Sequence, residues 1–172
     1  MQTDYAKGIR QILEEIEKKS DGRRLIRYMR DTEVVEVCSA EFFGKIKKRA
    51  ALLISKGMVG KHIGIIGENS CEWLENLGAI FYAGAVAVLL DHELSPDMIA
   101  ELADRVELDG VLYDEAAAVK IKDACLREKV QKIFMSDSEE KIKRGIFTVE
   151  QNPEELACIF LRQEPLRRAR RL

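Results

Sequence analysis

The chain has 172 residues, of which 47% are hydrophobic, so it can bury the core of about one domain of ~150 residues. Its 28 Lys and Arg residues nearly balance its 30 Asp and Glu residues, and the net charge of −2 gives no overall attraction to nucleic acid. The longest apolar runs, such as Ala83 to Leu90, are shorter than the ~20 residues of a membrane span, and Met1 to Arg10 has no secretory apolar core. These features predict a cytoplasmic protein without a transmembrane segment.

The cysteines and the C-terminal charges exclude two further classes of protein. Because the four cysteines are far apart and the chain has only two histidines, neither a structural zinc site nor a disulfide framework is predicted. From Arg162 onward the sequence has five Arg and one Glu, but it has no aromatic residue on which a base could stack. A solvated terminus is therefore favoured over a nucleic-acid contact or a polybasic membrane patch.

The first third of the chain predicts two helices separated by a short strand. Apolar residues recur at helical spacing over residues 5–16, and Asp21-Gly22 ends that helix. The run Glu33–Cys38 is rich in β-branched residues and predicts a strand. Ser39 is a predicted N-cap for a second helix, which ends at Gly57.

The central part of the chain alternates predicted strands and helices. The strands are expected at residues 61–67, 85–90, 110–113 and 132–135, and the helices at residues 73–81, 98–106 and 116–126. Asn69 and Glu72 have the spacing of a capping box, and Ser95-Pro96 fits an N-cap and a first helical residue. Helices of this length between strands are typical of crossover connections in a parallel sheet. The predicted fold class is α/β, a mostly parallel sheet flanked by helices.

Four places contain residue types that can carry chemistry, and a structural role is the preferred interpretation of each. The turn Gly64–Ser70 follows a predicted strand, where open α/β sheets bind nucleotides, but it lacks the spacing G-x-G-x-x-G. Asp91-His92-Glu93 is a candidate acid–base cluster and is interpreted as a solvated loop. Cys71, near a helix N-terminus, is a candidate low-pKa thiol and is interpreted as an inert cysteine, and His62 is interpreted as a packing residue. No catalytic, cofactor-binding or metal-binding residue is predicted.

Several runs of residues share their order and spacing with a known family. Lys61–Ser70 is similar to the pattern K-x-I-A-I-I-G-E-N-S, and Glu72-Trp73 continues it. Ala79–Asp91 is similar to A-x-x-x-A-G-A-V-x-V-P-L-D, with Leu89 in place of the proline. Together with a helix end at Ala51–Gly57, these runs resemble the N-terminal region of the AMP-binding, adenylate-forming acyl-CoA synthetases, most closely the long-chain fatty-acid-CoA ligase branch.

The resemblance implies a reaction for the full-length relative. Such an enzyme activates a fatty or other carboxylic acid with ATP and Mg²⁺ as an acyl-adenylate and passes the acyl group to CoA. In the family, a strand resembling Pro153–Phe160 leads into a Thr-Ser-Gly-Thr-Thr-Gly loop, whose N–H groups and hydroxyls bind the ATP phosphates. The adenine-binding, metal-binding and ribose-binding segments follow that loop. ATP, Mg²⁺ and CoA are thus implied for the full-length family, and no site residue is carried over to this chain.

The sequence departs from the family after Phe160, where it continues Leu161-Arg-Gln-Glu-Pro-Leu166. The codons TTA CGT CAG GAA CCA CT are legal for this run, and in a neighbouring frame they spell ACG TCA GGA ACC ACT, which encodes Thr-Ser-Gly-Thr-Thr. Leu166-Arg167 does not supply the final glycine codon of the loop. We therefore predict a partial N-terminal synthetase domain at residues 1–160 and a frameshifted tail at residues 161–172.

Two expectations about function follow. The chain alone is predicted to be inactive in adenylation, because the phosphate-binding loop and the segments after it are replaced. The alternative hypothesis is a non-catalytic, flavodoxin-like α/β domain that binds a ligand or a partner. An unpaired, apolar sheet edge near Ala157–Phe160 also predicts self-association into a homo-oligomer.

Overall fold

The computed structural model describes residues 8–30, 32–137 and 156–161. The helices are α1 (Ile9–Lys19), α2 (Ser39–Ser55), α3 (Cys71–Tyr82), α4 (Pro96–Arg105) and α5 (Ala118–Asp123). The strands are β1 (Arg24–Arg30), β2 (Glu33–Cys38), β3 (His62–Ile66), β4 (Val86–Leu89), β5 (Gly110–Tyr113), β6 (Gln131–Phe134) and β7 (Cys158–Phe160). The predicted helix start at Tyr5, the residues Pro153–Glu155 and the predicted tail from Arg162 onward lie outside the described residues.

The strands form two sheets. β1 and β2 are an antiparallel hairpin, and the other five strands form one sheet in the order β6-β5-β3-β4-β7, in which every neighbouring pair is parallel. The chain passes from β3 through α3 to β4 on one side, and then through α4 to β5 on the other side of β3. The strand order therefore reverses between β3 and β5, which is the topological switch point of the sheet. The predicted α/β fold class is confirmed.

The three central strands β3, β4 and β5 are buried on both faces, which explains their near-continuous apolar sequences. Ile63 and Ile65 of β3 pack in a cluster with α2 and α3, whereas the next residue along, Ile66, packs in a second cluster with α4 and α5. This alternation follows from the two-residue period of a strand. Four residues of the predicted helical stripes are exposed and lie in neither core, which are Ile12, Ile16, Leu74 and Met98.

The start of α2 differs from its prediction. Its N-cap is Cys38, which makes no side-chain capping hydrogen bond, and Ser39 is the first helical residue. The predicted N-cap at Ser39 is therefore wrong. The Ser39 hydroxyl instead donates a hydrogen bond to the carbonyl oxygen of Ser20 at 2.8 Å. This bond ties the beginning of α2 to the end of α1.

The start of α3 also differs, whereas the start of α4 is as predicted. Ser70 is the N-cap of α3, and its hydroxyl oxygen accepts a hydrogen bond from the Trp73 N–H at 3.0 Å. The predicted capping box of Asn69 and Glu72 is therefore wrong, because the cap lies one residue later. Ser95 caps α4 as predicted, and Pro96 is its first residue.

Candidate functional site

The carboxyl ends of β3 and β5 meet at the switch point, and the side chain of Asp114 lies between them. Its Oδ2 accepts a hydrogen bond from the Glu68 N–H at 2.7 Å, and its Oδ1 accepts one from the Ala117 N–H at 2.9 Å. One carboxylate therefore binds the turn after β3 and the segment that enters α5. The sequence analysis missed this residue, although an acid directly after an apolar strand and before a helix is a usable signal.

Gly67 makes room for that carboxylate. A Cβ atom at this position would lie 2.6 Å from Asp114 Oδ2, well inside van der Waals contact. The geometry agrees with the packing role that the sequence suggested for the glycines of the turn Gly64–Ser70. The Glu68 N–H already binds this carboxylate, so a phosphate near it would meet the negative charge of Asp114.

The loop after β4 contains Asp91-His92-Glu93. Asp91 Oδ1 accepts a hydrogen bond from the Glu93 N–H at 2.9 Å, and His92 Nδ1 lies 3.5 Å from the same oxygen. Lys120 donates a hydrogen bond to the His92 carbonyl oxygen. The side chains of Asp91 and His92 are more than half exposed. This geometry is that of a solvated turn, as the sequence suggested.

His62 lies at the other end of β3, away from the carboxyl edge. Its Nδ1 is 2.6 Å from the carbonyl oxygen of Val106, so Nδ1 carries the proton and donates it. The main-chain N–H of His62 donates a hydrogen bond to Asp109 Oδ2 at 3.2 Å. His62 thus has a structural role between β3 and the loop that precedes β5.

A second place of interest is the space between the β1–β2 hairpin and helices α2 and α3, which contains two cavities. One cavity, of about 450 Å³, is lined by charged residues of both signs, which are the basic Arg30, Lys45, Lys48 and Arg49 and the acidic Glu72, Glu75 and Asp137. The other, of about 600 Å³, is bordered by apolar residues, which are Ile26, Met29, Trp73 and Leu74. Both are also lined by Tyr28, Arg30, Cys71 and Glu72. Since they share four lining residues, they are two halves of one groove, which we call the β1 groove.

The thiol of Cys71 lies in this groove and is held in its protonated form. Burial first of all, then the negative charge of Glu75 and the hydrogen bond from the thiol to Glu75 Oε1 at 3.4 Å, raise the pKa of Cys71 to about 11. Lys45 donates to the same oxygen of Glu75 at 3.2 Å and pairs with Glu41 at 3.1 Å. The raised pKa agrees with the interpretation of Cys71 as an inert thiol.

Two negative findings concern residues 8–30, 32–137 and 156–161. No three His, Cys, Asp or Glu side chains in these ranges are arranged to hold a metal ion. None of the helices in the same ranges has the length and apolar character needed to cross a membrane.

The fold and the strand order define a class of protein, the N-terminal subdomain of adenylate-forming enzymes. The family described as AMP-binding enzyme matches residues 17–165, which is most of the chain, so the chain belongs to this family. The predicted family resemblance is confirmed at this level. No curated protein matches the chain.

Solved structures of similar fold agree with this assignment. McyG A-PCP complexed with phenylalanyl-adenylate has a TM-score of 0.78 and 18% identity over 95% of this chain and 27% of its own. The inhibitor-bound N-terminal domain of FACL13 from Mycobacterium tuberculosis has a TM-score of 0.71 and 20% identity over 84% of this chain and 38% of its own. An acyl-CoA synthetase from Brucella canis has a TM-score of 0.71 and 14% identity over 85% of this chain and 30% of its own. The chain spans between 16% and 39% of the length of such structures.

Proposed function

We propose that this chain is the N-terminal scaffold of an AMP-forming acyl-CoA ligase, whose full-length form joins a fatty or other carboxylic acid to CoA through an acyl-adenylate. The family match over residues 17–165, on a sheet of order β6-β5-β3-β4-β7, is the observation that carries the proposal. The motifs at Lys61–Ser70 and Ala79–Asp91 support the long-chain fatty-acid branch. A cytoplasmic location is part of the same proposal.

One contact at the switch point supports the expectation that this chain alone does not bind ATP. The Glu68 N–H, in the turn after β3, is bound to the Asp114 carboxylate at 2.7 Å and is not free for a phosphate. A phosphate there would meet the negative charge of Asp114 and lose a hydrogen-bond donor. We therefore assign the binding of ATP, Mg²⁺ and CoA to the segments that follow this region in full-length relatives, and we expect the chain alone not to form an acyl-adenylate.

A single-turnover assay tests the expected lack of activity. The purified chain is mixed with ATP, Mg²⁺ and dodecanoate, and the release of pyrophosphate is compared with a mixture that lacks the acid. We expect the two traces to be the same. Release that depends on the acid would show that this chain carries its own adenylation site.

Sequencing of the gene tests the frameshift at Leu161. Codons 155 to 180 are read again, and every frame downstream is translated. A frame that resumes with Thr-Ser-Gly-Thr-Thr and continues into synthetase segments supports a ligase gene with a shifted frame. If no such frame exists, the chain is a free-standing domain of the AMP-binding family, and its function is binding of a ligand or partner.

A further inference from the structure

Helix α1 lies against α2 and α3 but buries little of its own surface. None of its residues is buried, whereas α2 buries six. Leu13 packs against the core, while Ile12 and Ile16, in the same helix, are 45% and 42% exposed. Because burial of an apolar face supplies most of the stability of a helix in a protein, apolar packing alone holds α1 weakly.

The start of α1 lacks two features that stabilise a helix. Its N-cap is Gly8, which makes no side-chain capping hydrogen bond, and its first turn has no acidic residue. The helix has 11 residues, and an isolated helix shorter than about 12–15 residues is marginal in water. α1 is therefore helical because it is docked, so undocking and loss of the helix are expected to be one event.

Charged side chains make contacts from α1 to the neighbouring helices. The Arg10 guanidinium lies 4.9 Å from the centre of the Tyr82 ring and donates a hydrogen bond to the Tyr82 carbonyl oxygen at 3.4 Å. Glu17 pairs with Lys47 of α2 at 2.6 Å. The Arg10 side chain is only 13% exposed, whereas that of Lys47 is 46% exposed. Dissolved salt therefore screens the Glu17–Lys47 pair more than the Arg10 contact.

The C-terminal end of α1 is fixed to the rest of the fold. The Ser39 hydroxyl donates to the Ser20 carbonyl oxygen, and the turn that follows contains Gly22 at a φ of +64°, which glycine adopts easily. We propose that α1 is a detachable helix, which opens as a unit about this end while α2, α3 and the parallel sheet stay folded. Its charged contacts set the docked fraction, so higher ionic strength favours the open form. Opening uncovers Tyr82, which is 8% exposed when α1 is docked.

Amide hydrogen exchange of the full chain, followed by mass spectrometry, tests the detachable helix. We expect the amides of residues 13–19 to exchange at least about tenfold faster than those of β3. Arg10→Gln and Glu17→Gln should each speed the exchange of α1 by about threefold and leave that of α3 and β3 unchanged. Raising NaCl from about 0.05 M to about 0.5 M should speed the exchange of α1 in the native chain by about threefold, and less in Glu17→Gln.

Two variants serve as matched controls. Lys48→Gln changes the lysine next to Lys47, which has no ion pair in the described part of the chain, and should not speed the exchange of α1 as Lys47→Gln does. Arg105→Gln removes from α4 the same kind of pair within one helix, at 3.1 Å, that Arg10→Gln removes from α1, and should affect its own helix less.

Three results would overturn the proposal. The first is exchange of α1 at the rate of β3, since α1 would then open only when the whole chain unfolds. The second is faster exchange of α3 together with α1 in Arg10→Gln or Glu17→Gln, since α1 would then not open as a separate unit. The third is exchange of α1 in Arg10→Gln and Lys47→Gln that is no faster than in the matched controls.

Discussion

Asp114 joins two turns that are far apart in sequence, and its removal should destabilise the fold. The variant Asp114→Ala loses hydrogen bonds to the Glu68 and Ala117 N–H groups and leaves both donors without the carboxylate. We expect the free energy of unfolding in urea to fall by about 1–3 kcal/mol. Asp91→Ala is the matched control, because Asp91 accepts one N–H bond on an exposed loop and should cost less. Equal losses would contradict the bridging role.

Gly67 and Asp114 should be energetically coupled. Gly67→Ala places a Cβ 2.6 Å from Asp114 Oδ2, so either the carboxylate or the turn must move. In the Asp114→Ala background that clash is gone, and the same glycine change should cost less than in the native chain. A double-mutant cycle measured by urea unfolding gives the difference, for which we expect roughly 0.5–3 kcal/mol of coupling. Strictly additive losses would mean that the two residues act independently.

Cys71 makes the stability of the fold depend on pH above neutrality. Its folded-state pKa of about 11 lies above the ordinary value of 9.0, mainly because of burial, so the folded chain favours the protonated thiol. This contribution is fully present below pH 9 and is lost as the pH rises toward 11. We expect the free energy of unfolding to fall over that window, and the fall to be smaller in Cys71→Ser. An identical pH profile for that variant would contradict this assignment.

At the scale of the helix, the N-cap of α3 predicts different effects for substitutions at the neighbouring residues Asn69 and Ser70. The Ser70 hydroxyl oxygen accepts the Trp73 N–H, and Asn69 lies one residue before the cap. We expect Ser70→Ala to lower the free energy of unfolding by about 1 kcal/mol, because one donor of the first turn loses its partner. Asn69→Ala should change it much less. The opposite order of the two losses in thermal or urea unfolding would restore the cap predicted from the sequence.

Elements buried on two faces could be predicted from sequence, whereas elements defined by a neighbour could not. The strands β3 and β4 are apolar at nearly every position because helices cover both sides. β1 has the sequence Arg-Leu-Ile-Arg-Tyr-Met-Arg, without a regular alternation, and its strand exists because it pairs with β2. α5 covers only Ala118–Asp123, since the backbone is already extended at Ala124. Tertiary contacts, rather than local sequence preference, determine where β1 forms and where α5 ends.

The candidate sites, like the elements, could be predicted from sequence only where a local pattern was sufficient. The sequence indicated that Cys71, His62 and the turn at Gly67 have structural roles, because no supporting chemical group stood at a suitable spacing. It did not indicate Asp114, whose partner Glu68 is 46 residues away. It also did not indicate the β1 groove, because that groove needs the hairpin and two helices to be placed side by side. A local sequence pattern does not show which distant segments of the chain come into contact.

At the scale of the whole molecule, β7 is the edge strand on one side of the described sheet. Phe160 is 76% exposed and Leu156 is 57% exposed, and such an apolar edge favours pairing with another chain. We propose a homo-oligomer through this edge and expect the sedimentation coefficient to rise with protein concentration. Phe160→Lys should reduce this rise, whereas Val119→Lys, at an exposed position on α5, should not. A monomer mass at all concentrations would contradict the proposal.

The strand order has a consequence for the way the chain acquires its structure during synthesis. β3, β4, β5 and β6 follow one another in sequence and occupy four neighbouring positions of the sheet. β7 follows β6 after 23 intervening residues and, among the described strands, pairs with β4 alone. Nearly all buried residues of the two apolar clusters precede the end of β6, so a nascent chain that has emerged this far already carries most of both clusters. β7 then docks onto a finished surface, so its amide hydrogens should exchange with solvent earlier than those of β3.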